Sequence, residues 1–129
     1  MEYVFENRDR VRDYECDLQG IVNNANYQHY LEHSRHLFCE SRGMTFSEMH
    51  TDGIDVVVAR FAISYKYPLR PDDRYVCRLN VEKEKVRYVF HQDIFRESDN
   101  RLCVSARVDC VATVNGQLVS GHPKIDALL

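Results

Sequence analysis

The hydrophobic period of this 129-residue chain changes once, and that change limits what it can fold into. Between Tyr27 and Ser41, apolar or small residues fall at Tyr27, Tyr30, Leu31, Ser34, Leu37, Phe38 and Ser41. That is the 3.6-residue stripe of a helix of about four turns. After Gly53 the period becomes two. Val58, Phe61, Ile63, Tyr65 and Tyr67 form one run ending at Pro68. Tyr75, Cys77, Leu79 and Val81 form the next, then Tyr88, Phe90 and Ile94, and last the long run from Leu102 to Val114. A mixed segment over residues 3–14, with Tyr3, Phe5 and Val11, reads as a first strand. The strands are joined by short turn signals, Pro71-Asp72-Asp73, Ser98-Asp99-Asn100 and Asn115-Gly116. Strands linked by tight turns favour an antiparallel sheet, and a lone helix must bury its stripe against it. The pattern predicts an α+β fold of about five strands and one long helix, in a single domain over residues 1–129.

The helix has legible ends. Asn23 or Asn24 can cap its N-terminus by accepting from the first free N–H groups. Arg42-Gly43 supplies a stop, because glycine adopts the left-handed conformation that follows many helices. One further helical turn is predicted over Thr45–Thr51, broken by Asp52-Gly53. Just ahead of the long helix stands Asp17, three residues before Gly20. A carboxylate beside a helix N-terminus can serve a carbonyl substrate. The unbonded N–H groups and the positive end of the helix dipole polarise the oxygen, while the carboxylate attacks or activates water. On its chemistry alone the same Asp reads more readily as an ordinary turn or capping residue.

Other classes of function are disfavoured. A formal net charge of −3 argues against broad nucleic-acid binding. The first residues, Met1 to Glu6, do not resemble a signal peptide, and no apolar run is long enough to span a membrane. The cysteines, Cys16, Cys39, Cys77, Cys103 and Cys110, are odd in number and unpaired in spacing, as expected of free thiols in a reducing cytoplasm. His29, His33 and His36 recur at helical spacing, mostly opposite the apolar stripe, and read as a solvated face, so no metal is expected.

Val11-Arg12 followed by Asp17-x-x-Gly20-Ile21-Val22-Asn23-Asn24-Ala25-Asn26-Tyr27 resembles the signature of hotdog-fold acyl-CoA thioesterases of the 4-hydroxybenzoyl-CoA thioesterase type. The resemblance continues through Tyr65-Lys66-Tyr67-Pro68-Leu69-Arg70-Pro71-Asp72-Asp73 and Gly121-His122-Pro123-Lys124-Ile125, and so covers nearly the whole chain. It departs from the family at Asp13-Tyr14, where an aromatic normally stands four residues before the catalytic Asp. What it implies is a hotdog fold, with the sheet curled around the helix. It also implies a homodimer joined edge to edge, able to pair again into a homotetramer, with active sites shared between protomers. Asp17 is then the nucleophile or the general base, and the backbone N–H near Asn24 polarises the carbonyl. Gly20 lets the backbone approach the thioester, beside Asn23. Tyr27 and Phe61 line the acyl pocket or belong to the core. Arg60, with Lys83, Lys85 and Arg87, is the expected basic rim for the phosphates of coenzyme A, which is substrate rather than cofactor. Acyl-ACP thioesterases of plants share the same segment, so an acyl-ACP substrate and a non-catalytic acyl-CoA-binding module are the alternative readings.

Overall fold

The computed structural model describes residues 2–129. One antiparallel sheet is built from β1 (Phe5–Arg10), β2 (Ile54–Tyr65), β3 (Arg74–Glu84), β4 (Arg87–Arg96), β5 (Arg101–Val114) and β6 (Gln117–Val119). Its order is β1-β3-β4-β5-β2, with β6 paired to the end of β5. The helices are α1 (Asn24–Ser41), α2 (Phe46–Thr51) and α3 (Pro123–Asp126). The curved sheet carries α1 on its inner face, which is the hotdog arrangement that the resemblance implies. Among the described residues, no helix is long and apolar enough to cross a membrane.

Six strands replace the five expected from the periodicity. Asn115 and Gly116 both take positive φ (50° and 78°), the geometry of a tight hairpin, and the three residues after them pair back onto β5. The first strand is shorter than residues 3–14: it ends at Arg10, and Asp13–Glu15 form a 3-10 turn. Asp13 and Tyr14 therefore lie outside the sheet, so strand alternation does not apply to them, and Tyr14 is 78% exposed.

The helix buries Tyr27, Tyr30, Leu31, Ser34 and Phe38 as the stripe predicts. It departs from the stripe in its second half, where Leu37 is only half-buried, Ser41 is exposed, and Arg35 and Cys39 are buried instead. Around the first half lies a cluster that includes Leu31, Leu69, Ile94 and Val104; around the second half lies one that includes Phe38, Leu79, Phe90 and Val108. Each such side chain contributes about 1.5–3 kcal/mol on full burial. Phe61 packs against both clusters and so marks their junction.

β2 is the only long strand hydrogen-bonded on one side to β5 and, at its other edge, to nothing among the described residues. Val57 and Val58 are 45% and 49% exposed there. A twelve-residue edge bearing apolar side chains is one that folded proteins ordinarily cover.

Candidate active site

The loop before α1 is tied at many points. A bridge between Cys16 and Val22 closes a small hairpin, within which the Asp17 N–H donates to the Ile21 carbonyl and the Gly20 N–H to the Asp17 carbonyl. Gly20 sits at φ +75°, which L side chains rarely adopt, so the turn requires it. Asp17 is half-buried, and its Oδ1 accepts from the Gln19 N–H at 2.9 Å. Glu15 anchors the loop to the helix. Its carbonyl accepts from the Asn23 N–H and from Asn26 Nδ2, while its carboxylate accepts from the Arg12 N–H and the Tyr30 hydroxyl, both at 2.7 Å. Nothing in the spacing of the sequence singles Glu15 out, because its partners are brought to it only by the fold.

Asn23 is the cap: its Oδ1 accepts from the Ala25 N–H at 3.0 Å, and its carbonyl accepts from the Asn26 N–H. Asn24 is therefore the first helical residue. Its N–H is the one of the first three in α1 with no acceptor within the described chain. Next to it opens a cleft of about 220 Å³ lined by Ile21, Val22, Asn24, Tyr27, Tyr65 and Pro68, among others. Tyr27 is 3% exposed and accepts from the Leu69 N–H at 3.0 Å through its hydroxyl, so it is both cleft wall and core. Burial pushes its phenol up to about 12, which leaves it a neutral wall at ordinary pH.

Of the expected site residues, Asn24 and Tyr27 line this cleft, Asp17, Gly20 and Asn23 do not, and the rest separate further. Phe61 faces the helix, whereas Arg60, one residue before it and just past a bulge in β2, faces the convex side of the sheet. Neither lines the Asn24 cleft. Of the expected basic rim, Arg60, Lys85 and Arg87 share a convex-face groove of about 480 Å³, joined by Arg107, which the sequence reading missed. Lys83 is not among them. Its strand parity turns it to the inner face, where it lies over the Tyr88 ring and donates to the Ser120 carbonyl.

Under the groove lies Asp109, buried, accepting from Arg87 at 2.7 Å and from Arg107 at 2.8 Å. Burial works against its charge, but the two guanidiniums outweigh it and hold the carboxyl below the usual carboxylate range. A carboxyl so depressed stabilises the fold above its unfolded pKa, and that contribution disappears as the pH falls through its folded value. Asp109→Asn is expected to cost about 1–2 kcal/mol at pH 7, discounted because both arginines are partly exposed. The gap from the parent should close in acid, as the pH falls through the lowered folded value. Urea unfolding at pH 7 and in acid measures both.

No thiolate nucleophile stands in this region. Burial raises the thiol of Cys103, which lines the cleft, and that of Cys16, and pushes Cys39 up to about 12 and Cys77 and Cys110 up to about 11. His29 and His33 are exposed, and His36 rests against Phe46. The one His/carboxylate cluster close enough to share an ion, among the described residues, is Glu82, Glu84 and His91 on the other face of the sheet. There His91 bonds to Glu82 and Glu84 to Arg107.

Residues 11–125 match the model of the thioesterase-like superfamily. A putative esterase of Aquifex aeolicus is 36% identical over 121 residues, which is 93% of this chain and 91% of that one. A chloroplastic acyl-acyl carrier protein thioesterase of Arabidopsis thaliana is 38% identical over 88 residues, 67% of this chain; the matched part is 47% of the plant protein's length. The crystal structure of a hypothetical protein from Aquifex aeolicus superposes with a TM-score of 0.90 at 33% identity, covering 98% of this chain and 99% of that one.

Proposed function

The chain belongs to the thioesterase-like superfamily, and on that premise we propose that it hydrolyses an acyl-CoA thioester to the free acid and coenzyme A. The observation that carries the reading is the unbonded Asn24 N–H, at the start of a long helix and beside a cleft, with the Asp17 carboxylate in the tied loop just before it. The thioester carbonyl oxygen accepts from the Asn24 N–H, and the helix dipole stabilises the charge that grows on it. Two routes then follow. In one, Asp17 attacks the carbonyl carbon, the C–S bond breaks with loss of the CoA thiolate, and water cleaves the mixed anhydride, returning the carboxylate. In the other, Asp17 takes a proton from a water that attacks directly. Asn23 holds the helix start, and Gly20 keeps the loop low enough for the thioester to approach.

In this reading the functional unit is a homodimer joined along β2, which can pair again into a homotetramer. The convex groove of Arg60, Lys85, Arg87 and Arg107 shares no residue with the same chain's Asn24 cleft but flanks the bare edge. Joining two edges gives each cleft access to the other protomer's arginines, and guanidiniums suit the phosphates of coenzyme A. Val57→Lys sets like charges on the two edges. It is expected to yield a folded monomer in light scattering, with kcat/KM lowered about a hundredfold through loss of the shared site. A fully active monomer would overturn the shared site.

The plant relative favours an acyl-ACP carrier as the second reading, and an acyl-CoA-binding module without chemistry is the third. A thiol-reagent assay on matched acyl-CoA and acyl-ACP panels tests all three. CoA release supports the proposal, cleavage of acyl-ACP alone shifts the carrier, and tight binding without thiol release removes the hydrolase.

A further inference from the structure

Arg35 is the one charged side chain of α1 inside the core, 7% exposed. A guanidinium so deep is costly unless it is paired, because burial removes its water without supplying a counter-charge. Here it has little compensation. Arg35 donates to Gln92 Oε1 at 3.0 Å, and Gln92 is itself fixed by donating to the Leu31 carbonyl at 3.0 Å. Among the described residues, no ion pair includes Arg35. Burial accordingly lowers its affinity for the proton, an effect that the carboxylate of Glu32 offsets only in part.

The side chain lines a half-enclosed cleft of about 130 Å³ whose other walls are mostly apolar, among them Cys39, Phe46, Val56, Val58 and Phe90. Glu32 stands at its rim, exposed, without pairing to Arg35. The cleft is separate from the one at Asn24, but the two are aligned. Positions 24 and 35 are eleven residues apart, so they differ by about 20° around the helix axis and about 16 Å along it. Phe61, at the junction of the two core clusters, lies between the helix halves that carry them.

We propose that the Arg35 cleft is the far end of the acyl pocket and that it selects acyl groups ending in a carboxylate, the monothioesters of dicarboxylic acids. The inference rests on the thioesterase reading above. A mostly apolar cleft with a buried, unpaired guanidinium in its wall, aligned along α1 with the Asn24 cleft, matches the tip of a chain that is hydrocarbon along its length and anionic at its end. The planar fork of Arg meets a carboxylate with two parallel N–H bonds, and the low-dielectric walls strengthen the pair. Gln92 holds the guanidinium by one nitrogen and leaves the rest of the fork for the ligand. Arg35 is here a specificity residue, remote from the reacting carbon.

The test is calorimetric titration of the wild-type protein with two non-hydrolysable CoA thioethers of equal chain length, one an ω-carboxyalkyl chain and one a plain alkyl chain. The carboxylated thioether should bind at least about tenfold more tightly. Arg35→Met should reverse that order while leaving the alkyl affinity within about threefold, and Arg35→Lys should restore part of the preference, because it keeps the charge without the fork. Equal wild-type affinities, or a preference for the alkyl chain, would overturn the inference and leave thioester hydrolysis untouched. A parallel loss of both affinities in Arg35→Met would also overturn it, marking Arg35 as structural or as the mate of a carboxylate on a second copy. Selective binding in a protein that cleaves no acyl-CoA would uphold the subsite and remove the hydrolase. Binding of neither thioether would remove both.

Discussion

Asp17→Asn is expected to lower kcat/KM toward acyl-CoA by about 10²–10⁴ while leaving the melting temperature within about 2 °C. The substitution separates chemistry from architecture. Asp17 holds its turn by accepting the Gln19 N–H through Oδ1, and the Asn amide oxygen can accept the same bond. The flanking Asp17 to Ile21 and Gly20 to Asp17 bonds are backbone bonds and survive. What Asn cannot do at neutral pH is attack a carbonyl as a carboxylate or remove a proton from water. If Asp17 were only a turn residue, Asp17→Asn would be silent; an essentially unchanged rate would sink the mechanism. Asp17→Ala removes both functions and should lose activity and some stability together. Single-turnover hydrolysis in ¹⁸O water identifies the mixed-anhydride route where label enters the Asp17 carboxylate, which requires water to attack the Asp17 side of the anhydride.

The helix and the long strands were legible because their burial is one-sided, and one-sided burial writes a period into the sequence. What escaped the reading depends on pairing and on depth. β6 is three residues long, too short to show a period, and exists because the Asn115-Gly116 turn returns it to β5. The stripe of α1 predicts apolar burial at Leu37 and Ser41, yet the helix is rotated so that Arg35 and Cys39 go inside. A period cannot announce a buried arginine, because its pattern value is that of a surface residue. The site shows the same division. Asp17, Gly20, Asn23 and Asn24 fall within eight residues of one another, so local turn and cap chemistry orders each of them, although only Asn24 of the four lines the cleft. Arg60 and Phe61 are adjacent in sequence but diverge across the sheet, and the bulge before Arg60 is invisible to a period-two count. Lys83 and Arg87 flank the same hairpin, yet end on opposite faces. Arg107 and Asp109 look like ordinary alternating charges until the fold sets them beside Arg87.

The Asn24 N–H can be deleted without disturbing the helix, which makes its role open to a direct test. Asn24 is the first residue of α1, and Asn23 before it has φ −64° and ψ 140°. Proline is favoured at the first helical position, where its missing N–H would have no helical partner, and it requires the preceding residue to be extended, as Asn23 is. Asn24→Pro should therefore fold, keep the Asn23 cap on the Ala25 N–H, and remove only the donor aimed at the thioester oxygen. Loss of one such donor costs about 2.7–4 kcal/mol of transition-state stabilisation, so kcat should fall by about 10²–10³. KM should change far less, because the charge on the oxygen develops only as the reaction proceeds. Asn24→Ala is the control. It deletes the exposed side chain, retains the N–H, and should stay within about fivefold of the parent rate. A result in which Asn24→Ala is the damaging change and Asn24→Pro is tolerated would transfer the role from the backbone to the amide side chain. Helix content by circular dichroism, measured on both variants, guards against loss of the helix start as the cause, and steady-state kinetics on one good acyl-CoA supplies the rest.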